Sequence, residues 1–236
     1  MPVIDDPWKI LEQKNHIEID EIDKKFVELN ISGENNTVII KKISPWNTGK
    51  ITISIAGNNC KFIFEENIYV SQFLNIVIGQ IHPNFGKIEN VYFKIGQNTT
   101  FENANITLFN SNSYFDIGEN CMFSFGINIF HTDAHPIYSI KSKQIINKVK
   151  ILKIADHCWI GAGVTILKNV ELGHDSIVGW GSVVSKNYAK DATPDVCRDE
   201  SGIPCNCIIA GNPAHIVAHG VTWDSNGSQG YIQNQI

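Results

Sequence analysis

The feature that most constrains this chain is an aliphatic residue that recurs at every sixth position in its C-terminal half. From residue 154 the sequence reads IADHCW, IGAGVT, ILKNVE, LGHDSI, VGWGSV and VSKNYA, and each block opens with Ile, Leu or Val. Glycine follows the aliphatic residue at Gly161, Gly173 and Gly179. A period of six matches neither an α-helix nor the simple alternation of a β-strand. It is typical of a chain coiling into a triangular prism, in which each block supplies one short strand and one corner.

The same spacing continues upstream with less regularity. Ile117, Phe123 and Ile129 keep the six-residue step, as do Ile95 and Phe101. Gly-Asn and Asn-Asn pairs recur near these positions, and asparagine tolerates the left-handed dihedrals that tight corners need. We therefore predict an all-β fold, a parallel β-helix in which three blocks complete one coil and successive coils stack.

Breaks in the rhythm divide the chain. We predict that residues 1–34, which are charged, form an N-terminal cap segment, and that residues 35–190 form the β-helix. A polar insertion at 131–150 interrupts that region, and residues 191–236 are expected to form a C-terminal loop and tail that pack on the prism. Insertions that project from a rigid solenoid often carry function.

Composition excludes several classes of protein. The 236 residues include 19 Lys and Arg against 24 Asp and Glu, a formal net charge of −5. An acidic balance without a basic cluster argues against a nucleic-acid-binding protein. No apolar run is long enough to cross a bilayer, and the first residues do not resemble a signal peptide. We expect a cytoplasmic protein, soluble or peripheral to the inner membrane.

The six cysteines are dispersed along the chain, and we expect small buried or loop thiols. Cys197, Cys205 and Cys207 lie close enough in sequence to suggest a thiolate metal site, but a fourth ligand is not evident. We therefore expect no metal.

Four segments resemble the hexapeptide-repeat acyltransferases, and among them the sugar O-acetyltransferases of bacterial capsule and lipopolysaccharide assembly. They are CMFSFGINIFHTDAHPIYS at 121–139, DHCWIGAGVTILKNVELGHDSIVGWGSVVSKN at 156–187, IIAGNPAHIV at 208–217 and VTW at 221–223. These segments cover the C-terminal half, whereas the N-terminal half resembles the family only in its general pattern of residues and not in specific motifs. The resemblance implies a left-handed β-helix, a homotrimer, and acetyl-CoA as the donor in the groove between adjacent prisms. It also implies an active site at the subunit interface.

The resemblance also assigns catalytic residues. A sugar hydroxyl needs a base because it is a poor nucleophile until its proton is leaving, and histidine suits that role near neutral pH. His135, in the loop sequence HTDAHP, occupies the family's catalytic position. Asp133 could orient the imidazole or simply cap the loop, and His131 is a weaker candidate for a direct role. In the polysialic acid O-acetyltransferase members, a tryptophan in the Trp-Ile-Gly motif lies beside the catalytic histidine, which here is Trp159. Either its indole N–H or a corner N–H such as that of Gly161 could stabilise the oxyanion.

The donor site is assigned in the same way. The corresponding positions are Gly161, Ala162, Gly179, Trp180, Ser185, Lys186 and His215. Trp180 stands where a small residue is usual, so it should either narrow the channel for pantetheine or swing outward. His215 replaces the usual Lys or Arg, which weakens a phosphate contact, and Lys190 or Arg198 could compensate.

We therefore expect an acetyl-CoA-dependent O-acetyltransferase acting on a surface glycan, one that could contain sialic acid. The alternatives are a small-molecule or antibiotic acetyltransferase of the same superfamily and a zinc carbonic anhydrase, which the spacing of His131 and His135 superficially suggests. A non-catalytic scaffold is the third.

Overall fold

The computed structural model describes residues 7–80, 86–188 and 192–225. Lys190 and the chain ends at 1–6 and 226–236 lie outside the described residues. The described part has one α-helix, α1 (Pro7–Glu12), and one 3₁₀ helix (Lys24–Phe26). All other regular elements are strands: β1 (His16–Ile19), β2 (Val27–Ile31), β3 (Thr37–Ile43), β4 (Lys50–Ile55), β5 (Gly57–Asn58), β6 (Lys61–Ile78), β7 (Ile88–Glu89), β8 (Tyr92–Ile95), β9 (Thr100–Leu108), β10 (Tyr114–Ile117), β11 (Met122–Phe123), β12 (Ile127–Phe130), β13 (Ile151–Ile154), β14 (Trp159–Ile160), β15 (Thr165–Leu167), β16 (Glu171–Leu172), β17 (Ile177–Val178), β18 (Val183–Val184), β19 (Cys207–Gly211) and β20 (Ala214–His219).

The strands stack as parallel coils with three strands to a turn. In the regular region β13 pairs with β16, β14 with β17 and β15 with β18. Paired residues such as Trp159 and Ile177 are 18 positions apart, which is three six-residue blocks. We call the stack containing β13 and β16 the first face, that of β14 and β17 the second, and that of β15 and β18 the third. The predicted all-β architecture of parallel, coiled strands is confirmed.

The inward column of each face forms the core. The aliphatic residues that open the six blocks are all buried: Ile154, Ile160, Ile166, Leu172, Val178 and Val184. Upstream, aromatic rings take over the same role, and Phe93 stacks on Phe62 and Phe115 with ring centroids 4.8 and 4.6 Å apart. Burying such a side chain contributes about 1.5–3 kcal/mol, so the columns stabilise the stacking of the coils.

Each corner is a column of residues with positive φ. The corner between the first and second faces carries Asn67, Asn98, Asn120, His157, Asp175 and Asn206, with φ between 54° and 61°. The next corner carries Gly126, Gly163 and Gly181, and we call it the glycine corner. The corner between the third and first faces carries Asn35, Asn59, Asn90 and Asn112. The chain leaves the coil for the insertion at 131–150 at this last corner, which we call the loop corner.

The coiled region starts earlier than position 35. Strand β1 pairs in parallel with β3, and β2 with β4, so most of the segment that we predicted to be a cap belongs to the first coil. The alternating apolar residues of this segment fit strands that bury one face. Only α1 precedes the coil in the described chain, and its Trp8 packs against the core.

The C-terminal segment extends the second face. β19 pairs in parallel with β17, and β20 returns antiparallel to β19. Ahead of it, Cys197 and Cys205 face each other with their Sγ atoms 2.9 Å apart, and no cysteine is in a disulfide. No helix of the described residues is long and apolar enough to cross a membrane.

His131 belongs to the core. It follows β12, is fully buried, and packs edge-on against Phe115 with ring centroids 6.2 Å apart. Neither ring nitrogen has a hydrogen-bond partner among the described residues. Burial, together with the nearby charge of Lys168, lowers the pKa of His131 from 6.5 to about 4. The ring is therefore neutral at pH 7.

This burial predicts an acid-sensitive fold. Because the pKa of His131 is lowered on folding, the unfolded chain takes up its proton first, and stability falls as the pH drops from 6.5 to about 4. The loss from this residue is about 3 kcal/mol. Denaturant unfolding of the wild type and of His131→Leu between pH 7.5 and 4 should show a weaker pH dependence in the variant. The exposed His16→Gln variant should keep the wild-type dependence; equal slopes for all three proteins would contradict the prediction.

Candidate active site

The loop at 131–150 presents His135 on the surface beside a cavity. The cavity has a volume of about 280 Å³ and is lined by both arms of the loop and by Asn110 and Ser111 of the preceding coil. His135 is exposed, and none of the hydrogen bonds among the described residues involves its imidazole. Its backbone is held, since its N–H donates to the carbonyl of Asp133 (2.6 Å). The ring is thus free to accept a proton from a molecule in the cavity.

Asp133 contacts Lys168 and Asn147 rather than the ring of His135. Its Oδ2 lies 2.6 Å from Nζ of Lys168 and accepts a 2.7 Å hydrogen bond from Nδ2 of Asn147. Burial opposes ionisation, but these two partners outweigh it and lower the pKa of Asp133. The carboxylate therefore fastens the loop to the coil. Sequence reasoning missed both partners. Asn147 lies outside the motifs, and Lys168 lies within the hexapeptide repeat, whose period concerns the aliphatic positions and gives no role to this lysine.

Trp159 lies on the second face, which is opposite the loop corner. It projects outward from β14, next to the buried Ile160. Its indole N–H is buried without a hydrogen-bond partner in the described part of the chain. Because the loop corner joins only the third and first faces, one chain does not bring Trp159 and His135 together.

A polar cluster beside Trp159 fixes the C-terminal tail. Trp223 stacks on His157 with ring centroids 4.4 Å apart and donates its indole N–H to the His157 carbonyl (2.7 Å). The Asp175 carboxylate contacts Nδ1 of both His157 and His174 at 2.7 Å and accepts a hydrogen bond from Thr222. Burial opposes ionisation of this carboxyl, but hydrogen bonds from these three side chains lower the pKa of Asp175. The VTW segment thus covers part of the second face, 6.1 Å from Trp159 between ring centroids.

The predicted donor residues fall at two places. Phe125, Ala162 and Trp180 occupy the same position in three successive coils, next to the glycine corner. Trp180 swings outward and is 76% exposed, and its ring covers Gly161, where a Cβ would lie only 2.5 Å from Cδ1 of the indole. This gives the glycine corner an apolar outer strip.

The remaining donor candidates lie towards the C-terminal end of the coils. Gly179 packs against Ala210, Ser185 is exposed, and Lys186 places Nζ 5.8 Å from the ring of Tyr188. His215 is exposed on β20. Arg198 donates hydrogen bonds from its guanidinium to the carbonyls of Gly202 and Ala192, so its side chain stabilises the loop in which it lies.

The described residues contain no group of three or more His, Cys, Asp or Glu side chains placed to hold a metal ion. His131 and His135 are the pair that suggests a zinc site in the sequence, but their side chains do not share an environment. The first is buried in the core and the second faces solvent.

Comparison with known proteins gives a family match and several relatives. The family model "Bacterial transferase hexapeptide (six repeats)" matches residues 152–186. The polysialic acid O-acetyltransferase of Neisseria meningitidis is 32% identical over 146 residues, which cover 58% of this chain and 67% of that protein. The polysialic acid O-acetyltransferase of Escherichia coli O1:K1 is 31% identical over 55% of this chain but only 37% of its own length. The galactoside O-acetyltransferase of Lactococcus lactis is 30% identical, over 57% of this chain and 55% of its own.

Two solved structures resemble the fold. The polysialic acid O-acetyltransferase OatWY aligns with a TM-score of 0.64 and 28% identity, over 89% of this chain and 87% of that one. The polySia-specific acetyltransferase NeuO aligns with a TM-score of 0.61 and 24% identity, over 86% and 84%. The hexapeptide match, the identity to the Neisseria relative and the shared fold lead to one conclusion. This chain belongs to the hexapeptide-repeat transferase family and is an acyltransferase.

Proposed function

We propose that this chain is an acetyl-CoA-dependent O-acetyltransferase that acetylates a hydroxyl of a bacterial surface glycan, with His135 as general base. The observation that carries the proposal is the free, exposed imidazole of His135 beside a cavity, on a loop whose backbone is fastened to the coil. The names of the relatives support the glycan acceptor. The proposal includes the left-handed sense of the coil that is usual in this family.

The reaction follows from the position of the base. His135 takes the proton of the acceptor hydroxyl as its oxygen attacks the thioester carbonyl carbon, forming a tetrahedral oxyanion. The C–S bond then breaks, and the imidazolium returns the proton to the thiolate. The products are an O-acetyl ester and free CoA. Preorganised N–H donors stabilise the oxyanion, and the unpartnered indole N–H of Trp159 fits that role.

The arrangement requires more than one copy of the chain. Since Trp159 and His135 lie on opposite sides of the stacked coils, Trp159 joins the site only when another copy's second face lies beside the loop corner. A homotrimer supplies such interfaces with cyclic symmetry. In this assembly the acetyl-CoA lies in the groove between copies and follows the strip formed by Ala162 and Trp180. Gly161 lets the Trp180 ring lie flat on this strip and Gly179 lets Ala210 pack beside it, and Ser185, Lys186 and His215 lie towards the phosphates of the acetyl-CoA.

The cavity beside His135 favours an anionic acceptor. Lys148 lines it, and Lys141 and Lys143 are exposed on the same loop. A sialic-acid-containing glycan offers a carboxylate for such groups. In this role the protein works in the cytoplasm, where acetyl-CoA is available. A smaller acceptor is the second candidate, because a galactoside O-acetyltransferase is 30% identical.

His135→Ala should lower kcat by about 10²–10⁴-fold, because the acceptor hydroxyl loses its base. CoA release measured with a thiol reagent checks this, and calorimetry should show that acetyl-CoA binding is retained. His16→Ala, at an exposed histidine far along the chain, should leave kcat unchanged. A His135 variant with activity within a few-fold of wild type would refute the assigned base.

A panel of sialylated oligosaccharides, neutral oligosaccharides and simple galactosides should identify the acceptor class. We expect the fastest acetyl-CoA-dependent CoA release with the sialylated members, because Lys148 faces the cavity. Preferential turnover of galactosides would favour the small-acceptor candidate. The absence of CoA release with every member would contradict the proposed function.

Trp180→Ala should raise the KM for acetyl-CoA by about 3–10-fold and change kcat little, because removing the exposed ring deletes apolar contact with the donor. Steady-state kinetics with varied acetyl-CoA measures this. The control is Trp46→Ala, since Trp46 is also highly exposed, at 81%, but lies far from the donor strip. An unchanged KM in the Trp180 variant would remove this residue from the donor site.

A further inference from the structure

We propose that Asn147 is a positioning residue for this reaction, which locks the turn carrying His135 in place. The inference rests on the proposed role of His135 as the base. Asn147 lies in the returning arm of the loop, twelve residues after His135, and belongs to none of the segments that resemble the family.

The Asn147 carboxamide connects three points of the turn. Its Nδ2 donates to Oδ2 of Asp133 (2.7 Å) and to the backbone carbonyl of His135 (2.9 Å). Its Oδ1 accepts a hydrogen bond from the backbone N–H of Ile137 (2.8 Å). One side chain therefore holds the residues before, at and after the base. The partners also define the direction of the amide, since two of them are acceptors and one is a donor.

An ion pair connects the hydrogen bonds of Asn147 to the rigid coil. Asp133, which Asn147 contacts, also contacts Nζ of Lys168 at 2.6 Å. Lys168 follows β15 on the third face, one coil beyond the start of the loop, and its side chain is only 19% exposed. The chain of contacts runs from the coil through Lys168 and Asp133 to Asn147, and from there to the backbone of His135.

The other contacts of the loop lie away from His135. Its two arms hydrogen-bond to each other between Ile146 and Ile137 and between Ser139 and Gln144, and Asn169 of the coil binds the Lys148 carbonyl and the Lys150 N–H. Residues 133–138 and 140–146 are exposed, whereas Asn147 is half-buried. Ala134 adopts a positive φ of 59°, and its N–H donates to Oγ1 of Thr132 (2.9 Å). A base must stay within hydrogen-bond reach of the hydroxyl it deprotonates, and a displacement of about 1 Å can cost roughly 100-fold in rate. Losing the Asn147 contacts should therefore reduce turnover without removing any reacting group.

The test compares Asn147→Ala and Asn147→Asp in the full-length enzyme. Asn147→Ala should lower kcat by about 10–100-fold, with the KM for acetyl-CoA and the melting temperature unchanged. Asn147→Asp should be slower still, because a carboxylate cannot donate to Asp133 or to the His135 carbonyl and repels the Asp133 charge.

The Asp variant also has a distinctive pH dependence. The charged groups around His135 are Asp133, paired with Lys168, and Lys148 across the cavity. An added carboxylate favours the protonated imidazole, so the acidic limb of the kcat/KM profile should move to higher pH in Asn147→Asp and stay in place in Asn147→Ala. This shift reports that the side chain at position 147 lies beside the imidazole. The readout that a merely structural role would not give is the loss of kcat in Asn147→Ala with KM and melting temperature unchanged.

Ser139→Ala and His135→Ala are the controls. Ser139 accepts a hydrogen bond from the Ser142 N–H within the same loop but contacts neither Asp133 nor His135, so its variant should retain kcat. If His135→Ala is inactive while Asn147→Ala keeps kcat within twofold, positioning by Asn147 is overturned and the base stands. If Asn147→Ala also loses acetyl-CoA binding or stability, or Ser139→Ala is equally slow, general loop integrity replaces the proposal. If His135→Ala remains active, the proposed function itself fails.

Discussion

Every side chain of the regular coils lies above the residue at the same position one coil earlier, and the rest of the structure depends on this stacking. Parallel pairing with a fixed offset, as between Trp159 and Ile177, forces like positions into columns. Inward columns must be apolar and must fit a narrow interior, which explains the aliphatic blocks and the stacked Phe62, Phe93 and Phe115. Corner columns must adopt positive φ, which explains the Asn and Gly columns.

The same stacking decides where chemistry can occur. The strands of the coil have both neighbours occupied, so the chain can depart from it only at a corner. The loop that carries His135 leaves at such a corner. Its Asp133 forms an ion pair with Lys168 of the following coil, which attaches the loop to the coil. At another corner two asparagine positions are occupied by His157 and Asp175, which keep the required backbone but attach the tail through Thr222 and Trp223. Both polar sites are therefore modifications of corner columns.

The sequence determines the columns more clearly than the contacts between them. The six-residue period predicts the buried residues from Ile154 to Val184, because period and burial have the same geometric cause. The strands at 16–31 are missed, since the early coils contain longer strands and alternate like an ordinary sheet. The HTDAHP motif places His135 on a loop. Asn147 and Lys168, which both contact Asp133, lie 12 and 33 positions after His135. These contacts depend on how the insertion folds back onto the coil.

Two pairs of residues that the sequence places together, Asp133 with His135 and Trp159 with His135, are not in contact within one chain. Asp133 stands two residues from His135, which suggests direct orientation of the ring, but the nearby cation of Lys168 attracts its carboxylate away. Trp159 and His135 are 24 positions apart and occupy opposite sides of the coil. In the proposed assembly different copies of the chain supply these two residues, and a linear motif does not record such a relation.

The columns also set the spacing along the axis of the molecule. Neighbouring parallel strands lie about 4.8 Å apart, so the height between the loop corner and the C-terminal segment changes only in steps of that size. Inserting or deleting a complete coil preserves every column and shifts the two regions by one step. A shorter insertion would rotate all later residues onto the wrong face. The distance between the His135 loop and the C-terminal segment can therefore change by whole coils or through projecting loops, but not by intermediate amounts.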